Sequence, residues 1–162
     1  MALNAYLKLK GQTQGEIKGS ITQKGREDSI MVIAYHHEIV APRDAASGLP
    51  TGKRQHKPLV ITKEIDKATP LLYNALVNNE NITEWKLEFW TPSATGKEKQ
   101  HYTIQLINAS IAGINSEMLN NKYPENMQHK EREHVQFTYQ KIIWTWVDGG
   151  ITAEDDWEAP QA

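Results

Sequence analysis

No cysteine occurs in the chain, which excludes a disulfide framework and any zinc site built on thiolates. No apolar run approaches the roughly 20 residues that a membrane-spanning helix needs, so no membrane insertion is expected. The opening MALNAYLKLKG lacks a basic segment followed by an apolar stretch, so no cleavable signal peptide is expected either. A charge excess of one sign is also missing. The formal net charge is −2, and the basic residues are scattered rather than striped, which argues against a nucleic-acid groove. No internal repeat, P-loop, G-x-G-x-x-G or G-x-S-x-G motif is present. These absences describe a soluble protein made in the cytoplasm, with export by a signal-free route left open. At 162 residues the chain reads as a single domain, 1–162, long enough to bury a core.

The stretch Arg54–Asn79 is the most informative one that is present. His56–Ile65 alternates apolar and β-branched residues as a strand does. Thr69-Pro70 then starts a helix, with the Thr69 hydroxyl expected to accept a bond from an orphan backbone N–H and Pro70 opening the first turn. Leu72 and Leu76 form its apolar stripe, with Leu71 and Ala75 beside them, and Asn78-Asn79 closes it.

Around this core the chain reads as strands. Leu3, Ala5, Leu7 and Leu9 alternate with polar residues and end at Gly11. Gly15–Gln23 is a second short strand, and Ser29–Val40 a longer one between layers. Thr83–Trp90 alternates clearly, and Pro92–Lys99 with Gly96 reads as a hairpin turn. Gln100–Ile114 reads as one long strand whose apolar face switches after Leu106, by a bulge or by burial on both sides. Glu133–Val147 reads as the longest strand, with Val135, Phe137, Tyr139, Ile143 and Val147 on one face. Asp148-Gly149-Gly150 is a turn, followed by an acidic tail with Trp157. Two connections are long and irregular, Ala41–Lys57 and Asn115–Arg132. Segments of that length inside a domain usually carry function or contacts.

Candidate chemistry is sparse. His36-His37 are adjacent on a strand, so they point to opposite faces and cannot share a metal. His129, Glu131, Glu133 and His134 resemble a ligand cluster, but a charged run entering a strand is ordinarily a solvated face. Asp155 and Asp156 lie on a tail with no walls to shift their pKa values. Trp90, Trp144, Trp146 and Trp157 fall where the alternate face already supplies a core. Either the sheets continue into a partner, or a large two-layer core absorbs them; periodicity does not choose.

Several ordered segments resemble the hemolysin-coregulated protein family, the tube-forming protein of bacterial type VI secretion. They are AYLKLKG, GEIKGS at Gly15–Ser20, PRDAASGLPTGKRQHKP at Pro42–Pro58 and TKEID at Thr62–Asp66. After these come TPLLYNAL at Thr69–Leu76, YQKIIWTWVDGGIT at Tyr139–Thr152 and the Asp156-Trp157 pair. The resemblance implies a mostly β fold: a two-sheet β-barrel with one α-helix and a long extended loop, assembling as a hexameric ring. Rings would stack into a tube, fired by a contractile sheath behind a spike protein and carrying effectors in its lumen. It implies no catalysis, no cofactor and no metal, and release to the medium or a target cell. On this reading the extended loop makes the subunit and ring contacts through Pro42, Arg43, Asp44, Gly48, Leu49, Pro50, Gly52, Lys53, Arg54 and His56. Met118, Leu119, Asn120 and Tyr123 mark a lumen or ring-edge loop. Two other classes stay open: a monomeric β-sandwich that binds ligands on its tryptophans, and a metal-dependent enzyme built on His129–His134.

Overall fold

A computed structural model describes residues 2–157. Residues 158–162, the end of the acidic tail, lie outside the described residues. Strands β1 (Ala5–Gly11), β2 (Gly15–Ile17) and β3 (Ile30–Val32) open the chain. They are followed by β4 (Ala34–His36), β5 (Ile39–Val40), β6 (Gln55–His56) and β7 (Leu59–Glu64). Helix α1 (Thr69–Val77) comes next, then β8 (Ile82–Pro92), β9 (Glu98–Ile107) and β10 (Ser110–Glu117). Strands β11 (Arg132–Thr138), β12 (Lys141–Trp146) and β13 (Ile151–Asp156) complete the described chain.

Every strand pairing among the described residues is antiparallel. One sheet runs β13-β12-β9-β8-β1-β2, with β3 also on β1; the other runs β10-β11-β7-β4. A small ribbon pairs β5 with β6. Leu7, Leu87, Ile104 and Leu106 from the first sheet meet Leu59, Ile61, Val135 and Phe137 from the second in one apolar core. Trp85 packs edge-on against Phe137, ring centres 5.3 Å apart, joining the two layers.

The chain passes between sheets by bending at corners. The strand read over Gln100–Ile114 is β9 and β10, separated by Asn108 in the left-handed region at φ 51. The switch of apolar face at Leu106 is this corner, and a register shift between Ile111 and Gly113 adds a bulge just beyond it. The strand read over Glu133–Val147 is likewise β11 and β12, broken at Tyr139-Gln140. Because the face flips there, Ile142 is buried, whereas Ile143 is half-buried and Val147 exposed. The two corners are neighbours: Gln140 N–H donates to Ile107 O (3.1 Å), and Asn108 Nδ2 donates to Gln140 Oε1 (2.8 Å). The single strand expected over Ser29–Val40 is β3, β4 and β5, one in each sheet and one in the ribbon. The strand expected over Gly15–Gln23 stops at Ile17.

Helix α1 buries Leu72 and Ala75 but leaves Leu71 exposed and Leu76 half-buried. Its C-terminus closes as expected. Asn79 takes φ 50, its N–H reaches Leu76 O, and Glu80 N–H reaches Ala75 O, which satisfies the last carbonyls. The Glu80 carboxylate then accepts the N–H groups of Thr13 and Gln14 in the turn after β1. A Cβ at position 11 would lie 1.9 Å from Glu80 Oε2, so a side chain there would have to displace this carboxylate from the turn.

The helix start differs from expectation. Thr69 is the first helical residue, and its hydroxyl accepts the upstream Asp66 N–H at 3.1 Å. The same oxygen accepts from Lys63 Nζ (3.1 Å) and donates to Glu133 Oε1 (3.0 Å). Lys63 and Glu133 are both 0% exposed and pair at 2.6 Å. Glu133 is therefore a buried partner of the helix start and not part of a solvated face.

Candidate assembly surface

Residues 41–54 project between β5 and β6 as an arm. Its sequence suggested a structureless loop, but the backbone is ordered as a ribbon. Ile39 pairs with His56 and Val40 with Gln55. Thr51 N–H then donates to Pro42 O at 3.0 Å, and Arg43 bridges to Pro50. At the tip, Asp44 Oδ2 accepts the N–H (2.8 Å) and hydroxyl (2.7 Å) of Ser47, an Asx-type turn that also holds the Asp44 carboxyl below its ordinary pKa. Gly48 supplies the positive φ of 72° that the turn requires. Leu49 stands at this tip, 65% exposed.

The structure divides the expected contact residues into two groups. Pro42, Arg43, Asp44, Gly48, Leu49, Pro50, Gly52 and Lys53 belong to the projecting ribbon, outside the core. Arg54 and His56 are engaged within their own subunit. Arg54 Nε and Nη2 grip both oxygens of Asp155 on β13, at 2.6 and 2.9 Å. His56 Nε2 lies 2.7 Å from Asp155 Oδ2, its ring stacks on Trp157, and its Nδ1 is 2.7 Å from the Tyr139 hydroxyl. His37 Nε2 reaches the same hydroxyl at 2.8 Å. Hydrogen bonds from Arg54 and then His56 hold the Asp155 carboxyl below its usual range. Burial, with the Asp155 charge behind it, pushes the Tyr139 phenol far up.

Sequence reasoning missed this cluster. From the sequence Asp155 reads as part of an open tail, yet β13 pairs with β12 along its whole length and presents Asp155 to the arm. Arg54, just before β6, and His56 within it, two residues apart, were the signal that a carboxylate partner was near.

The second expected group lies on the loop from Met118 to Glu131. Met118 and Tyr123 are exposed, Leu119 is half-buried, and Asn120 folds the loop by accepting Lys122 N–H on its side chain and Tyr123 N–H on its carbonyl. His134, from the proposed ligand run, instead bonds Thr62 and Glu117. Among the tryptophans, Trp90 carries Arg26 over its ring at 4.3 Å, Trp157 donates to Tyr139 O, and Trp146 is left 46% exposed.

Comparison with known proteins places this architecture. The family model described as "Type VI secretion system effector, Hcp" matches residues 6–146. The "Major exported protein" of Pseudomonas aeruginosa is 42% identical over all of this chain and 99% of that protein. The chain belongs to the hemolysin-coregulated protein family. A solved "Crystal structure of Hcp protein" is similar at a TM-score of 0.90 and 31% identity, covering 97% of this chain and 99% of that one. "Secreted protein Hcp3 from Pseudomonas aeruginosa" is similar at 0.79 and 34%, covering 96% and 99%. The chain is thus a structural subunit of the type VI secretion tube, with the family's mostly β, one-helix fold. The hexameric ring that the resemblance implied is consistent with those structures.

Proposed function

We propose that the chain acts as one domain, that six copies close into a ring through head-to-tail contacts, and that the rings stack along their axis into the secreted tube. A closed head-to-tail interface gives a ring, and an axial contact repeats it without limit. The observation that carries this reading is the arm, an ordered ribbon that projects past its own barrel with Leu49 exposed at the tip. Exposed Trp146 and Met118 add apolar surface suited to neighbouring copies. The role is mechanical rather than catalytic. Its partners are copies of itself, the effectors in the lumen, a spike at the tip and a contractile sheath outside.

Shortening the arm tests this. Thr51 N–H already meets Pro42 O, so Arg43–Pro50 can be replaced by a two-residue turn while β5, β6 and Arg54 stay in place. The shortened protein should melt close to the parent, form rings poorly stacked or not at all, and fail to reach the medium. Normal tubes and normal export from this variant would show that the arm is only a surface hairpin.

A further inference from the structure

The base of the arm is held by a chain of hydrogen bonds whose proton assignment can be worked out. A carboxylate only accepts, so His56 Nε2, 2.7 Å from Asp155 Oδ2, carries a proton. In a neutral ring Nδ1 then accepts, and the Tyr139 hydroxyl donates to it at 2.7 Å. The hydroxyl oxygen is left to accept from His37 Nε2–H at 2.8 Å. With both rings neutral every contact is satisfied. The relay ties together the β4–β5 link, which carries His37, strand β6, which carries His56, and the corner between β11 and β12.

Adding protons to both rings breaks this. One proton on either ring alone is tolerated: on His37 it leaves Nε2–H donating as before, and on His56 it turns Nδ1–H to the tyrosine oxygen while His37 takes its Nδ1–H tautomer and its bare Nε2 accepts from the hydroxyl. A second proton, on the other ring, aims two N–H donors at one hydroxyl whose own proton then has no acceptor. It also sets two imidazolium rings beside the same phenol. The groups facing the cluster do not relieve this. Arg54 adds a further positive charge and His36 lies next in the chain, while Asp155 contacts His56 and Arg54 but not His37. Asp156 follows on β13, accepting from Arg54 through its carbonyl and from Gln140 through its side chain. His37 is half-buried, so its ring can rotate into water.

We propose that the His37–Tyr139–His56 relay is a pH-sensitive catch on the arm, closed while at most one ring is charged and opened in mild acid, when both are, by release of His37. This rests on the reading of the arm as a contact element, and makes His37, Tyr139 and His56 positioning residues for it. Burial, followed by the His56 and His36 charges, holds His37 below its ordinary 6.5. The sign follows from linkage. A base whose folded value is depressed contributes stability above its unfolded value, and that contribution fades as pH falls through the folded one. Asp155 behaves likewise, but below its ordinary 3.8. Acid therefore opens the His37 contact first and the Arg54–Asp155 grip only later.

Hydrogen exchange of the purified full-length chain reads the catch, compared at pH 7.5 and 5.0 after correction for intrinsic rates. The arm amides that close the ribbon, Asp44, Gly48 and Thr51, should exchange several-fold faster at the lower pH. His37→Gln, which keeps a donor and an acceptor but does not titrate, should hold protection constant across this range. Equal wild-type protection at both pH values, or the wild-type loss persisting in His37→Gln, overturns the catch. Should that variant fail to fold, histidine titration by NMR on the wild type decides, and His37 titrating at or above 6.5 overturns it. Ring content is measured in parallel. An arm that loosens while rings persist supports the catch and removes the arm's role in assembly, so the two readings fail separately.

Discussion

Lys63 is fully enclosed by its neighbours. Its ammonium is wholly buried, 2.6 Å from Glu133 and 3.1 Å from Asp66, and shares Thr69 with both the helix start and the carboxylate. A buried ion pair is weak evidence of net stabilisation, because desolvating both charges offsets much of their attraction. Breaking one side is a different matter, since the remaining charge stays buried without compensation. Lys63→Met should therefore cost about 3–5 kcal/mol in urea unfolding, and the double change Lys63→Met with Glu133→Leu should recover most of it. A single variant as stable as the parent would mean that Glu133 is protonated or hydrated. The sequence could not disclose this pair. Lys63 and Glu133 stand 70 residues apart, each in a polar run. Only the register that sets Glu133 opposite Lys63 across β11 and β7 brings them together.

At the scale of elements, legibility followed how much of each element faces the core. Helix α1 was readable because Thr69-Pro70, Leu72 and Asn79 each carry a local physical cause. The β8–β9 hairpin was readable because Trp85 and Leu87 alternate with charge and Gly96 takes φ 83 in the turn. Strand β13 was not, since Ile151–Glu154 are all exposed and a strand with no apolar face in the core leaves no alternation to detect. The corners at Asn108 and Tyr139-Gln140 were visible as a change of apolar face, but periodicity does not separate a bulge from a bend into a second sheet. The helix face gives a direct test. Leu72→Asp places a charge in the core and should destabilise by about 3–5 kcal/mol, near the upper end for single substitutions. Leu76→Asp should cost clearly less, because Leu76 is half-buried and its carboxylate can reach water. Equal losses in chemical denaturation would show that the helix seats differently against β10.

For the whole molecule, a tube subunit must hold its barrel rigid while keeping contact elements outside it. The chain does this by joining β9 to β10 and β11 to β12 through adjoining corners, which ties the two sheets into one scaffold. The arm and the Met118–Glu131 loop are then left as projections with exposed Leu49, Met118 and Tyr123. What the fold does for function was legible only through the ordered segments shared with the family, because no residue of the proposed contact surfaces carries a chemical motif of its own. A net charge of −2 keeps repulsion between many close copies small. The central claim is therefore an assembly claim, and the native mass of the purified full-length chain at micromolar concentration tests it most directly. The account predicts a dominant species of six chains, with longer stacks at higher concentration; a monomer that persists across that range contradicts it.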